Sequence, residues 1–317
     1  MEFRKGLSMI HKHELLAIGN DRLRRLATYA SIGVASILVA AKLAAWVMTD
    51  SVAMLSSLFD SGFDLIASLI TAFGVASALR PPDHNHRYGH GKAEPLAALA
   101  QSGIIIGSAV LLGIEAIGRF YHPHDIQNES VGYAVMALSI IMTFALVSFQ
   151  HHVVHETGSH AIGADRLHYV GDLAINLAVV AAFVLRRLTG MEWFDPAFAI
   201  AIAAGLLVTA FHIVRQALGA LMDAELPDDQ RTRIRDIVMR QPGVMGVHDM
   251  RTRSDSDRIF IELHVEMDLQ TTLLVAHELA ERITDAVCAE VPNADIVIHQ
   301  DPAGVEEERR DVRIGGR

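Results

Sequence analysis

Four side chains with metal-ligating chemistry stand in two matched pairs, Asp60 with Asp64 and His168 with Asp172. Each pair is spaced i and i+4, so both of its groups share one face of a helix. Both pairs interrupt long apolar runs. An ionised carboxylate at mid-bilayer costs about 2.5–3.5 kcal/mol, so it persists there only against a partner or a cation. Three carboxylates and one imidazole supply oxygen and nitrogen ligands for a tetrahedral site. That set suits Zn²⁺ and admits Fe²⁺, Co²⁺ or Cd²⁺. The imidazole disfavours Mn²⁺, a hard ion better served by all-oxygen sites. Three ionised aspartates overcompensate a divalent ion, so protons are expected to enter as metal leaves. Polar glue between helices is the competing reading, and it explains two matched pairs poorly.

The elements that must position these groups follow from the apolar runs. Of 317 residues, 51% are apolar and only 20% charged, and the mean hydropathy is +0.30. A bilayer core needs about 20 consecutive mostly apolar residues as helix. Six stretches qualify: 27–48, 52–79, 95–120, 131–150, 161–188 and 196–219. In lipid their backbone groups must pair internally, so they are expected to be helices. Six such segments leave too little polar surface to cover them in a soluble protein. At 1.5 Å per residue, Asp60 and Asp64 lie about 12–18 Å from the outer start of their span. His168 and Asp172 lie about as far from the inner start of theirs. The two helices run in opposite directions, so the pairs meet at one depth.

Residues 1–26 carry Arg4, Lys5, Lys12, Arg22, Arg24 and Arg25 without the apolar run of a signal peptide. The positive-inside rule keeps them cytoplasmic, and six spans return the C-terminus to the same side. Arg80, Arg87 and Lys92 after the second span agree; Arg119 and Arg186-Arg187 run against the rule. The last part of the chain has a different character. Residues 1–222 hold 16 acidic and 15 basic side chains, whereas 223–317 hold 21 acidic and 12 basic. This acidic balance excludes nucleic acid as a partner. The single cysteine, Cys288, excludes an intrachain disulfide and fits a reducing compartment.

Residues 223–302 are expected to form a small α+β domain. Pro227-Asp228 opens a helix and Pro242-Gly243 closes it. Residues 257–267 alternate, with Ile259, Ile261, Leu263 and Val265 on one face and Phe260, Glu262, His264 and Glu266 on the other. Residues 244–253 suit a partner strand, 272–290 a helix and 294–299 a last strand. The order α-β-β-α-β is close to a ferredoxin-like unit. Residues 303–317 are charged and Gly-ended, and disorder is expected there.

With these motifs in place, the chain resembles the cation diffusion facilitator family, and within it the bacterial ferrous-iron/zinc efflux branch. Asp60-xxx-Asp64 and His168-xxx-Asp172 look like that family's transport-site signature. The stretch from Asp83 through His86 and His90 to Lys92 resembles its loop between spans two and three. Gly246-Val-His248-Asp-Met-Arg-Thr-Arg and Val297-Ile-His299-Gln-Asp301-Pro are similar to its soluble-domain motifs. The match runs in order from about Ala27 to Pro302. The branch usually carries Leu-Val where this chain has Gly62-Phe63, and Gln-Ser where it has Val170-Gly171. The ligands are intact, and the two glycines leave room for closer helix approach.

The resemblance implies a homodimeric, proton-coupled exporter of divalent metal at the bacterial inner membrane, with no catalytic cofactor. It implies a six-helix transmembrane domain at 27–222 and a ferredoxin-like cytoplasmic domain at 223–302, where metal regulates or stabilises. Asp60, Asp64, His168 and Asp172 would be the transport ligands, and Asp83, His86 and His90 a loop site. His248, His264, His277, His299 and Asp301 would form a binuclear cytoplasmic site near the dimer seam. Lys92 and Asp223 match positions that pair charges in the family.

Other histidines are assigned no role. His151-His152-xx-His155-Glu156 superficially resembles a histidine box of an integral-membrane di-iron oxidase or hydroxylase. That alternative needs several boxes on one membrane face and leaves Asp60 and Asp64 unexplained. A passive metal channel or a sensor would share the ligands but lack proton coupling. His11, His13, His122, His124 and His160 are expected at the surface, and His212 packed within its span.

Overall fold

The computed structural model describes residues 2–49, 52–121, 129–189, 193–255, 258–291 and 293–305. They form two compact units, one ending at Leu218 and one beginning at Gly219. His122, His124 and residues 306–317, including most of the tail expected to be disordered, lie outside the described residues.

Six long helices build the first unit: α1 Glu2–Thr49, α2 Val52–Ala78, α3 Ala93–Tyr121, α4 Glu129–Thr157, α5 His160–Thr189 and α6 Phe194–Leu221. Among the described residues, five stretches are long and apolar enough to cross a membrane: Gly19–Met48, Ser57–Ala78, Ala93–Gly118, Ala134–Thr157 and Pro196–Leu221. The remaining helix, α5, which holds the expected span 161–188, is 30 residues long and is not among those five stretches of described residues. The first helix begins 25 residues before the Ala27 start of the expected first span, because nothing between Glu2 and Ala27 breaks it. The fourth runs past Gln150 to Gly158, whose positive φ of 63° and N–H bond to the Val154 carbonyl terminate it. His151, His152 and His155 are therefore helical. Pro95 and Pro196 occupy the first turns of α3 and α6, where a missing N–H costs nothing.

Small side chains let these helices pack. Ala27, Ala35, Ala67, Ala97, Ala98, Ala161 and Ala164 are all fully buried or nearly so. Phe63, Phe73, Leu111, Ile141, Phe144 and Phe211 are exposed, as expected of a surface whose solvent is lipid. Gly62 and Gly171 act differently from the expectation. Gly62 faces open space, whereas a Cβ on Gly171 would lie 2.8 Å from Leu206 Cδ2. The missing side chain thus admits Leu206 of α6, not a closer α2.

The second unit holds α7 Asp228–Met239, β1 Gly246–Ser254, β2 Ile259–Met267, α8 Leu273–Glu290 and β3 Ala294–Pro302. The sheet order is β1-β2-β3, with β1 antiparallel and β3 parallel to β2. Asp228 and Asp229 place negative charge at the start of α7. Thr272 caps α8 by accepting the Val275 N–H. Both helices cover one sheet face, where Ile234, Val238, Ile261, Leu263, Val265, Leu279, Ile283 and Val287 make the core. The opposite face is left for polar side chains. Phe260 departs from the alternation: it is buried on the polar face beneath Arg253, whose guanidinium sits 4.4 Å from the ring centroid.

Candidate metal centres

Three clusters of metal-ligating groups occur among the described residues, each with its ligand atoms within 4.8 Å of one another. The first lies inside the membrane unit. The i,i+4 spacing on α5 brings His168 and Asp172 to one face, and the same spacing on α2 brings Asp64 toward it. His168 Nε2 donates to Asp64 Oδ1 at 2.9 Å and lies 3.7 Å from Asp172 Oδ2. His168 is only 6% exposed. Asp172 Oδ2 is buried and has no hydrogen-bond partner. Such an orphaned carboxylate oxygen is costly unless a cation or proton meets it. Asp60 belongs to the same helix face but is exposed, one turn away, and stands outside the three-residue cluster.

A buried network holds this cluster in place, and nothing in the spacing pattern had singled it out. Asp165, one turn before His168, is 1% exposed. It accepts from Ser31 on α1 at 2.6 Å, Gln101 on α3 at 3.1 Å and Gln150 on α4 at 2.6 Å. The Ser68 hydroxyl shares hydrogen bonds with Ser31 and with Tyr169, both at 2.8 Å. Ser68 is one turn beyond Asp64, and Tyr169 follows His168. The Ser68–Tyr169 bond therefore sets the α2–α5 register beside the Asp64–His168 contact. The signal that could have exposed Asp165 was the one used for Asp60: a carboxylate inside an apolar helix.

A second buried set ties helix ends together. Arg24 on α1 donates to the Thr157 carbonyl at 3.1 Å and pairs with Glu94 at 3.5 Å. Ser159 donates to the other Glu94 oxygen at 2.7 Å. Arg24 and Glu94 are 2% and 0% exposed, so losing either partner would strand a buried charge.

The second cluster sits between α2 and α3. Asp83 Oδ1 accepts the N–H groups of Asn85 at 2.8 Å and His86 at 2.7 Å. The His86 and His90 rings approach Asp83 oxygens at 3.3 and 3.4 Å, and their centroids are 4.5 Å apart. Gly89, with φ at +92°, supplies the turn that carries His90 back toward Asp83. The His86 N–H, with lesser help from Asn85 and the His86 ring, holds the Asp83 carboxyl below its ordinary range. Asp83 is then an anion at neutral pH, as a metal ligand must be.

The third cluster is built by strand register. His248, His264 and His299 are direct neighbours across β1, β2 and β3. Their rings stack at 5.1 Å and 4.4 Å between successive pairs. Asp301, two residues beyond His299, points to the same face and is 5% exposed. Its Oδ2 lies 2.7 Å from His264 Nδ1 and 3.4 Å from His248 Nε2. Its Oδ1 lies 2.6 Å from His299 Nδ1. One carboxylate thus gathers three imidazoles. His299 is 62% exposed and stands at the rim of the cluster His248–His264–Asp301. His277 is exposed on α8 and does not join it.

Glu266 had no assigned role, yet its Oε1 lies 3.7 Å from His248 Nε2. It faces Gly246 across the β1–β2 ladder, where a Cβ would stand 2.6 Å from Glu266 Oε2. Gly246 opens space for that carboxylate. A bulge after His248 puts Asp249 at φ 48°, a conformation that aspartate tolerates, and leaves its carboxylate 3.7 Å from His248 Nδ1.

Comparison with known proteins bears on the whole chain. Residues 28–222 match the cation efflux transmembrane domain, and residues 226–303 match the cytoplasmic domain of cation efflux proteins. The chain is 42% identical over 292 residues to the cation-efflux pump FieF of Serratia proteamaculans (strain 568), covering 92% of this chain and 97% of that pump. It is 42% identical over 282 residues to the cation-efflux pump FieF of Shewanella oneidensis, covering 89% and 95%. Among solved structures, CzrB in its zinc form is 29% identical with a TM-score of 0.25, covering 26% of this chain and 97% of that one. The MamM C-terminal domain is 26% identical with a TM-score of 0.23, covering 24% and 96%.

Proposed function

Because the chain belongs to the cation diffusion facilitator family, as an integral-membrane exporter of divalent metal cations and not an enzyme, we propose that Asp64, His168 and Asp172 hold the ion in transit. The observation that carries this reading is the buried Asp172 Oδ2, without a hydrogen bond, beside the His168–Asp64 contact. A divalent cation there would satisfy the Asp172 oxygen and draw its ligands from all three side chains. Asp60, one turn along α2, completes the ligand set when the helices shift. Oxygen and nitrogen ligands favour Zn²⁺, with Fe²⁺ and Cd²⁺ next.

The ion and protons share these groups. Divalent metal needs ionised carboxylates and a neutral imidazole, so loading expels protons, and an acidic exterior returns them and releases metal. The cycle is metal out, proton in. The protein works as a homodimer in the inner membrane with both termini cytoplasmic. Asp83, His86 and His90 form a loop site. His248, His264, His299 and Asp301, with Glu266 beside them, form a cytoplasmic site that stabilises the folded dimer. The deciding experiment is metal flux into proteoliposomes across a panel of divalent cations, with and without an imposed pH gradient. Zn²⁺ flux that ignores the gradient would leave a passive channel. Normal flux after Asp64→Ala would remove the site assignment.

A further inference from the structure

One positive charge in the membrane unit has no place in the ligand set. Lys42 lies seven residues before the Thr49 end of α1, about 10 Å into the helix. Asp60 lies about 12 Å from the adjoining start of α2. The two are therefore at similar depth. Lys42 Nζ donates to Ser61 Oγ at 2.7 Å, and Ser61 is 1% exposed. Ser61 directly follows Asp60 and precedes Asp64 by less than one turn. The charges that bear on Lys42 are Asp64 and Asp60 from α2 and Asp172 from α5, and two of these, Asp64 and Asp172, also stand against His168.

An ammonium has three donors and no lone pair, so it is not a metal ligand. It acts by its charge. Three carboxylates alone outnumber the charge of a divalent ion; with one ammonium among them, a divalent ion completes the balance. We propose that Lys42 is the built-in counter-cation of the transport site, setting its net charge to match a divalent ion and keeping that ion loose enough to leave. The proposal rests on reading Asp64, His168 and Asp172 as the transport site. Ser61 positions the ammonium, and the low dielectric of the span makes its charge count for more than it would in water.

A structural role and a charge role predict opposite results. If Lys42 were only a hydrogen-bonded link between α1 and α2, its removal would loosen the site and weaken binding. If it is the counter-cation, a neutral replacement leaves excess negative charge, so metal binds more tightly and leaves more slowly. The test uses the full-length protein with Asp83→Ala, His90→Ala, His264→Ala and Asp301→Ala, so that only the membrane site reports. Zn²⁺ affinity is measured by calorimetry and Zn²⁺ flux in proteoliposomes, on variants that remain monodisperse by size exclusion. Lys42→Met and Lys42→Gln are each expected to lower Kd by about tenfold or more and to lower maximal flux, a tenfold change being what a modest screened charge supplies. Lys42→Arg keeps the charge and shows no such tightening, and neither does Ser61→Ala. Unchanged or weaker binding in the Met and Gln variants, with Asp64→Ala still abolishing it, overturns the counter-cation proposal. Wild-type binding in Asp64→Ala instead removes the transport-site reading and this proposal with it.

Discussion

At the scale of single residues, the proposed transport cluster depends on which group is left without a hydrogen bond. Asp64 already accepts from His168, while Asp172 Oδ2 has no hydrogen-bond partner and meets His168 only at 3.7 Å. Replacing Asp64 by Ala removes a ligand and a charge without disturbing the Asp165 network, which runs through other side chains. The variant is expected to fold and dimerise as wild type does and to lose Zn²⁺ flux at equal protein level. The loop offers a separate prediction. Asp83 is held below its ordinary range chiefly by the His86 N–H. A lowered carboxyl contributes order above its unfolded value of about 3.9 and loses it as pH falls through the lower folded value. Amide exchange at Asn85 and His86, relative to the intrinsic rate, should stay protected at pH 5 and above and lose protection only in stronger acid. Asp83→Ala should remove that protection throughout.

At the scale of elements, two arrangements carry measurable stability. Asp165 receives three donors from three different helices. Asp165→Ala leaves those donors unpaired at about 1–3 kcal/mol each, so a clear fall in thermal midpoint in detergent is expected. Asp165→Asn keeps the shape, turns a pure acceptor into a mixed donor and acceptor, and should fall between the two. The histidine row across β1, β2 and β3 is the second arrangement. Its candidate ligands come from three strands, so metal at the proposed site would bind the folded sheet and not the open chain. Zn²⁺ at about a hundred times its Kd should stabilise the unit by about 2.7 kcal/mol. His264→Ala, which removes the middle ring, should abolish most of the shift in a melting curve of residues 223–302.

At the scale of the whole molecule, proton exchange is the property to test. Calorimetry of Zn²⁺ binding in buffers of different ionisation enthalpy counts the protons released. With the loop and cytoplasmic ligands substituted, the membrane site should release protons across roughly pH 6–8, a range containing the ordinary histidine value of about 6.5. Binding heats that do not depend on buffer would refute the coupling.

Much of this was legible in the residues. Asp60-xxx-Asp64 and His168-xxx-Asp172 announced a polar centre because helical periodicity is local and a carboxylate in an apolar span is expensive. The alternation of residues 259–267 announced β2 for the same kind of reason. What lay beyond reach was the alignment of one element against another. That Asp64 meets His168 while Asp60 stays outside follows from the α2–α5 register, which Ser68 and Tyr169 help to set. Lys42 was lost in the average of a long apolar stretch, because its meaning depends on Ser61 of another helix. His248, His264 and His299 became a row only through strand pairing, and Glu266 joined them only because Gly246 stands opposite. Residue types and short spacings settle which chemistry is available and which elements carry it, because both are local. Register between elements is set by long-range packing and buried hydrogen bonds, so only the tertiary structure decides which of those groups meet.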